Sequence, residues 1–331
     1  TCLILVGLLL LIYQPYFLYQ VSFLFSFGIS FSLSFLRPSS HYILSLLKSS
    51  FVSLLASLPI MGLYFYEINL LSFFFNLLFI PLVTFLLFPL CFLSVVLPFL
   101  NPLFSLVIQI FETLNTFCSH ITFGLIVIPK MPLWYAVFLF GLILLMLSSK
   151  ERQKLFFTLI MTALILLKLL VYLDSSLSVY YLDVGQGDAT FLLTPHHKEA
   201  ILIDTGGKVG SKKSYLSTNL VRFMHSLGVS KINYLIITHG DYDHMGEAIN
   251  LVDNFKVEKV IFNCGEFNEL EKELIKVLDK KKIKYYSCLK KLNIDNNKLF
   301  FLQTKLYDNE NDNSNVIYTE LDGYKFMFMG D

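Results

Sequence analysis

The first 173 residues carry only ten charged side chains, and that scarcity limits what the chain can fold into more than any other feature. Seven are basic (Arg37, Lys48, Lys130, Lys150, Arg152, Lys154, Lys168) and three acidic (Glu67, Glu112, Glu151). With no water in a bilayer core to pair them, backbone donors and acceptors must be satisfied within helices. A spanning helix takes about 20 apolar residues. Such stretches recur at 16–36, 42–65, 68–97, 101–128, 132–147 and 153–173, after a partial one at 1–13. Six spans and a remnant are expected. Pro81 and Pro89 lack backbone donors, so 68–97 is expected to be kinked or re-entrant.

The turn holding Lys150, Arg152 and Lys154 is the most basic short loop, and the positive-inside rule places it in the cytoplasm. Arg37 and Lys48 then share that side, the Glu67 turn lies opposite, and the helix after Lys154 carries the chain out. Whatever follows is expected to be extracytoplasmic. Polar side chains in the apolar part are few: Asn69, Asn76, Gln109, Glu112, Asn115 and His120. Gln109, Glu112 and Asn115 share one helical face. An ionisable residue inside a membrane is a functional candidate, but Glu112 at an interface fits equally well. The sequence opens inside an apolar run with neither an initiator Met nor a basic leader segment, and a cut end is the expectation.

From Asp174 onward the composition is that of a soluble domain, holding 19 of the 26 basic and 22 of the 25 acidic residues. That near-neutral balance gives no electrostatic argument for nucleic-acid binding. Val179–Val184, Thr190–Leu193 and Ala200–Asp204 read as strands around Gly-rich turns. Helices are expected at Ser214–Leu227, Met245–Asn254 and within Glu266–Lys284, and buried strands at Ile232–Thr238 and Lys259–Asn263. The domains are therefore 1–173, helical and membrane-bound, and 174–331, an α/β domain. Lys280–Lys282 reads as a solvated helix end. Cys264 and Cys288 lack metal-type spacing; two free thiols are the favoured reading, with a disulfide as the other.

The chemistry gathers in Thr238-His239-Gly240-Asp241-Tyr242-Asp243-His244, directly after an apolar strand. Four ligand-type side chains fall within six residues, and a strand that ends in a turn projects them from its edge. Imidazole with carboxylate suits Zn²⁺, Mn²⁺ or Fe²⁺. The plain alternative is a polar loop that happens to hold two histidines.

His239-x-Asp241-x-Asp243-His244 resembles the HxHxDH signature of the metallo-β-lactamase superfamily, with Asp241 in place of the middle His. That variant is similar to the ComEC family of competence channels. The family's Leu182-Asp183-Val184-Gly185-Gln186-Gly187-Asp188-Ala189 turn, Ile203-Asp204-Thr205-Gly206-Gly207, Asn311-Asp312-Asn313-Ser314 and Met329-Gly330-Asp331 elements follow in order. Asn76 to Val83 resembles the competence membrane domain less specifically. The resemblance implies a polytopic helical domain followed by an αββα metallo-β-lactamase-like sandwich, incomplete at its C-terminus.

It further implies a multi-pass channel of the cell membrane that takes up single-stranded DNA in natural competence. An external phosphodiesterase domain would degrade the other strand with a metal-activated water. The metal ligands would be His239, Asp241, Asp243, His244 and the bridging Asp331, holding two divalent ions. The Asp241 oxygen shifts the expectation from Zn²⁺ toward Mn²⁺. Asp243, His239 and His244 would be catalytic, with Asp243 orienting or receiving a proton. Asp183, Gln186, Asp188, Asp204, Asn311 and Ser314 would touch substrate or support the ligands. Asn311 and Ser314 stand where relatives place a metal-binding His, and no His follows His244. The family's usual His-His-Gly-Ser element is not reached, so these 331 residues alone are expected to bind metal weakly and hydrolyse DNA poorly. Implied partners are membrane lipid, a DNA receptor, a cytoplasmic DNA-translocating ATPase and further copies of the chain. A membrane-anchored metallohydrolase acting on another phosphodiester or ester, and a conduit with a degenerate domain, are the other two readings.

Overall fold

The computed structural model describes residues 2–36, 39–121, 123–207, 215–302, 309, 311–321 and 323–330. It divides into two compact units, Thr1–Ile165 and Leu166–Asp331, the boundary falling inside one helix.

In the first unit the apolar runs become helices α1 (Cys2–Tyr13), α2 (Val21–Leu33), α3 (Tyr42–Tyr64), α4 (Ser72–Leu82), α5 (Phe88–Val96), α6 (Asn101–Ser119) and α7 (Leu133–Ser148). Helix α8 (Gln153–Tyr172) crosses the boundary. A π-helical turn at Val83–Leu87 joins α4 to α5. Pro89 has no N–H to return to residue 85, so the ladder widens there instead of breaking, and Ser72–Val96 runs as one apolar stretch. Among the described residues, three helices are long and apolar enough to cross a membrane: Tyr42–Tyr64, Ser72–Val96 and Gln153–Tyr172. Helices α1, α2 and α7 are apolar but shorter.

Helix α3 packs against α2, α4 and α7. It buries Val52, Leu55, Ala56, Leu58 and Ile60, and its Ser50 hydroxyl donates to the Phe73 carbonyl at 2.6 Å. Two stretches expected to be helical turn out to end in strands, β1 (Glu67–Asn69) and β2 (Leu125–Val127), which pair antiparallel. Asn69 sits at the end of this strand pair. Its amide donates to the Ile121 carbonyl at 3.1 Å and its oxygen accepts from Leu71 N–H at 2.9 Å, which fastens the strand pair to the next helix.

The second unit continues with β3 (Ser178–Tyr181), β4 (Thr190–Leu193), β5 (Ala200–Ile203), α9 (Tyr215–Ser226) and β6 (Ile232–Ile236). Next come α10 (Tyr242–Met245), α11 (Ala248–Asn254), β7 (Val257–Phe262), α12 (Glu269–Lys281) and β8 (Lys284–Ser287). Last come β9 (Lys291–Ile294), β10 (Asn297–Phe301), β11 (Ile317–Leu321) and β12 (Tyr324–Phe328). Strands β3 to β8 form one mixed sheet in sequence order, antiparallel up to β5 and parallel beyond. Strands β9 to β12 form an antiparallel sheet in sequence order.

Alternation of side chains across a strand sends residues to both faces of the six-stranded sheet. One set, including Phe191, Leu202, Leu235 and Val260, packs on Leu220, Met224, Leu251, Leu274 and Leu278 of the helices. The other, Leu192, Ile201, Ile203, Ile236 and Ile261, packs on Ile294, Leu299, Phe301, Ile317 and Phe328 of the second sheet. The result is a helix layer on two stacked sheets; among the described residues no long helix follows β9.

Asn268 caps α12 in a reciprocal box with Glu271, each backbone N–H donating to the other's side chain at 2.9 Å, and Lys282 in the left-handed region ends it. At that end Lys281 is tied to Asp253 at 2.8 Å, so the lysine run is anchored as well as solvated. The free-thiol reading of Cys264 and Cys288 is overturned, because they form a disulfide. Their sequence separation of 24 concealed a proximity created by the parallel pairing of β7 and β8, whose ends lie side by side.

Two outcomes follow from this packing. Leu299→Ala empties a fully buried site between the sheets and is expected to cost about 2–5 kcal/mol, read as a lower midpoint in denaturant for this unit. Alkylation of the denatured chain without reductant should label Cys2, Cys91 and Cys118 and spare Cys264 and Cys288; five labels would disprove the bond.

Candidate metal centre

The site is built where β6 ends. Strand β6 runs between β5 and β7 in the middle of the parallel region, so its C-terminal edge opens beside the edges of both neighbours. After β6 the chain passes through Thr238, His239 and Gly240 to Asp241, which precedes the single turn of α10. Asp241 accepts from the His244 and Met245 N–H groups through its carbonyl at 3.1 and 2.9 Å, and this winds Asp243 and His244 back toward the strand end.

The organising group is Asp204, just past β5 and 2% exposed. One carboxyl oxygen accepts from Thr238 N–H at 2.8 Å, and the other accepts from the Thr238 hydroxyl at 2.6 Å and lies 2.9 Å from His244 Nδ1. Burial pushes the Asp204 carboxyl above the ordinary carboxylate range, while the donors from His244 and Thr238 oppose the rise. With that carboxyl ionised, its two oxygens can accept from all three neighbouring groups.

With Asp204 ionised, this network also assigns proton positions on the histidines. The Thr238 hydroxyl has one hydrogen, and at 2.6 Å it belongs to Asp204. Its 3.1 Å contact with His239 Nδ1 therefore has the ring donating and the hydroxyl oxygen accepting. His244 Nδ1 likewise donates to Asp204. Both imidazoles thus carry hydrogen on Nδ1 and present the Nε2 lone pair, the tautomer a metal ligand needs. Their ring centres are 4.1 Å apart and both side chains are buried. Asp241 comes within 3.9 Å of His239 Nε2 through a half-exposed carboxylate.

Glycines let the loops close in. Gly187 has φ +83°, and a Cβ there would fall onto the Asp243 carbonyl, which accepts from Asp188 N–H at 3.3 Å. Gly240 is covered by Asn268, whose amide donates to the Gly240 carbonyl at 2.8 Å, so the cap of α12 also holds the histidine loop. Gly330 lies against Ser314 and Thr238, which brings the last described segment to the same edge. Asn315 N–H donates to the Thr238 carbonyl at 2.8 Å.

The structure brings His239, His244, Asp241 and Asp204 together. Ser314 is buried beside Thr238 through the Gly330 contact, and Asn311 sits one turn away, its carbonyl accepting from Ser314 N–H at 3.0 Å. Half-buried Asp243 makes no side-chain hydrogen bond or ion pair among the described residues. Asp183 is exposed and spends its carboxylate on Gly185 N–H at 3.1 Å, a turn-forming role. Gln186 and Asp188 are exposed on that turn. Asp331 lies outside the described residues. Among the described residues no three His, Cys, Asp or Glu side chains are gathered as a ready metal-binding group. The donor chemistry nevertheless fits a divalent cation, since two imidazoles lie 4.1 Å apart with the Asp241 carboxylate within 3.9 Å of His239 Nε2. Thr238, Asn268 and Asn315 were not among the sequence candidates. Thr238 stood in the motif run, and Asn268 had a visible capping-box signal in the Glu three residues later.

Comparison with known proteins divides the chain in the same order. The competence protein family profile matches residues 1–153, and the metallo-β-lactamase superfamily profile matches residues 182–331. ComE operon protein 3 of Bacillus subtilis (strain 168) is 29% identical over 302 residues, covering 83% of this chain and 39% of that relative. The chain thus spans about two fifths of the length of the curated relative it matches. It consists of a competence-protein domain followed by a metallo-β-lactamase superfamily domain, and it is homologous to that Bacillus protein over most of its own length.

Proposed function

We propose that the longer protein containing these residues is a multi-pass membrane channel that admits single-stranded DNA during natural competence. In this reading the second domain is an extracytoplasmic, metal-dependent phosphodiesterase. The observation that carries it is the Asp204–Thr238 network, which holds two buried histidines side by side at the end of β6, in a chain whose other half matches the competence protein family.

His239, Asp241, Asp243 and His244 would hold the metal, with Asp331 joining them, as two Mn²⁺ or Zn²⁺ ions. Bound there, divalent ions lower the pKa of water toward neutrality and neutralise charge on a phosphate. The protein's own residues do the rest. Asp204 and Thr238 hold both imidazoles by hydrogen bonds, Asp241 would add an oxygen donor, and Asp243 would orient or receive the proton of the attacking water. The exposed Gln186 and Asp188 turn, held by its backbone contact to Asp243, offers polar groups to the substrate. The extracytoplasmic assignment is supported twice over. The basic Lys150–Lys154 turn belongs in the cytoplasm by the positive-inside rule, and the Cys264–Cys288 disulfide persists only in an oxidising compartment.

The membrane-anchored hydrolase reading is separated from the channel reading by uptake itself. In a transformation assay with the full-length protein, His239→Ala and Asp243→Asn are each expected to lower DNA uptake at least about tenfold, the least that losing even a supporting residue of a metal site costs. Unchanged uptake in both would remove the hydrolase from the mechanism. Asp204→Asn keeps the shape but cannot hold the His244 tautomer, so Mn²⁺ or Zn²⁺ affinity of the full-length protein, measured by titration calorimetry, is expected to fall about 10–100-fold.

A further inference from the structure

The first unit contains a cavity of about 980 Å³ that the proposed channel and hydrolase do not use. Its walls are apolar, formed by side chains such as Phe51, Val52, Met146 and Phe157. Phe51 and Phe157 face each other with ring centroids 6.4 Å apart. Three lysines line it as well: Lys48 from α3, Lys150 from the α7–α8 turn and Lys154 from the first turn of α8. No acidic residue is part of the lining, and among the described residues none of the three ammonium groups has an ion-pair or hydrogen-bond partner.

Three like charges at one opening repel one another, and the start of α8 makes the field more positive. The first turn of α8 contains no acid, and a helix N-terminus carries partial positive charge that favours an anion. An elongated ligand with an anionic head and an apolar body satisfies both parts of the cavity. From this combination we infer that the cavity is a binding site for an anionic phospholipid, whose phosphate is held by Lys48, Lys150 and Lys154 and whose acyl chains lie along Phe51, Val52 and Phe157.

Basic pockets between membrane helices on the cytoplasmic side are the kind of site that takes such head groups, and the positive-inside rule puts this turn on that side. A nucleic-acid strand fits less well. It brings a phosphate with every nucleotide and needs a basic track along its length, whereas these lysines gather at one apolar cavity.

Native mass spectrometry of the full-length protein tests this, using phosphatidylglycerol and phosphatidylcholine of identical acyl chains. Wild type is expected to retain a phosphatidylglycerol adduct and little phosphatidylcholine. The triple variant K48Q/K150Q/K154Q should lose phosphatidylglycerol occupancy by at least about fivefold, the factor that one lysine near an anionic surface contributes. The charge control K130Q/K168Q should retain it. The triple arginine variant K48R/K150R/K154R should retain it too, which separates loss of charge from loss of fold. Equal occupancy in the triple glutamine variant would overturn the inference. So would displacement of the lipid by inorganic phosphate alone or by a short single-stranded oligonucleotide.

Discussion

A single buried carboxylate sets the geometry of the second domain's edge. Asp204 sits in the left-handed region with φ +58°, a conformation that costs a non-glycine residue of order 1 kcal/mol or more and persists only where its surroundings dictate it. Here they do. The carboxylate links the end of β5 to the residue after β6 and to the helix that follows. Desolvating a charge is tolerable only when its lone pairs are filled, so Thr238 and His244 have no freedom to turn away. His239 is then placed through Thr238. The glycines around this edge are a consequence of the same closeness, because Gly187 and Gly207 both meet the Tyr242–Asp243 backbone where no side chain fits.

The apolar half obeys a different solvent. In it, many serine and threonine hydroxyls donate to backbone carbonyls within their own helix, and large apolar side chains stay exposed. Ser50 and Asn69 spend their hydrogen bonds on neighbouring backbone, joining segments far apart in sequence. Gln109, Glu112 and Asn115 are exposed on α6, which is long enough to span but is not among the helices apolar enough to do so. Their shared face was visible from spacing alone.

Much of this could be read from the residues. The alternation of apolar runs with Gly-rich turns pointed to strands β3 to β7 with ends displaced by only a few residues, and the His239–His244 run marked the candidate site at the end of β6; β8 was not anticipated, because its segment continued the charged helical pattern before it. What escaped had a common physical cause, long-range pairing. The β1–β2 ladder joins Glu67 to Val127, and nothing local in two apolar segments announces a strand partner 60 positions away. The disulfide depends on two parallel strands ending side by side. Thr238 was visible in the motif, but its role depends on a carboxylate 34 residues earlier. Donor-counting around a hydroxyl is possible only once those neighbours are known.

The site also divides into a rigid and an adjustable half, and that division bears on its chemistry. His239 and His244 are buried and fixed by hydrogen bonds, while Asp241 is half-exposed and the Asp243 side chain is uncommitted to any described partner. Two neighbouring carboxylates repel each other, so they gain from drawing together only around a cation. Fixed imidazoles set where the first donor atoms lie, and the movable oxygens set how many more can be added and at what distance. A donor set of this kind tolerates the larger coordination number of Mn²⁺ as well as the four-coordinate preference of Zn²⁺. In the proposed metal site, Asp241 in place of the superfamily's middle His would therefore change more than one ligand: it would move a donor from the rigid half of the site to the adjustable one.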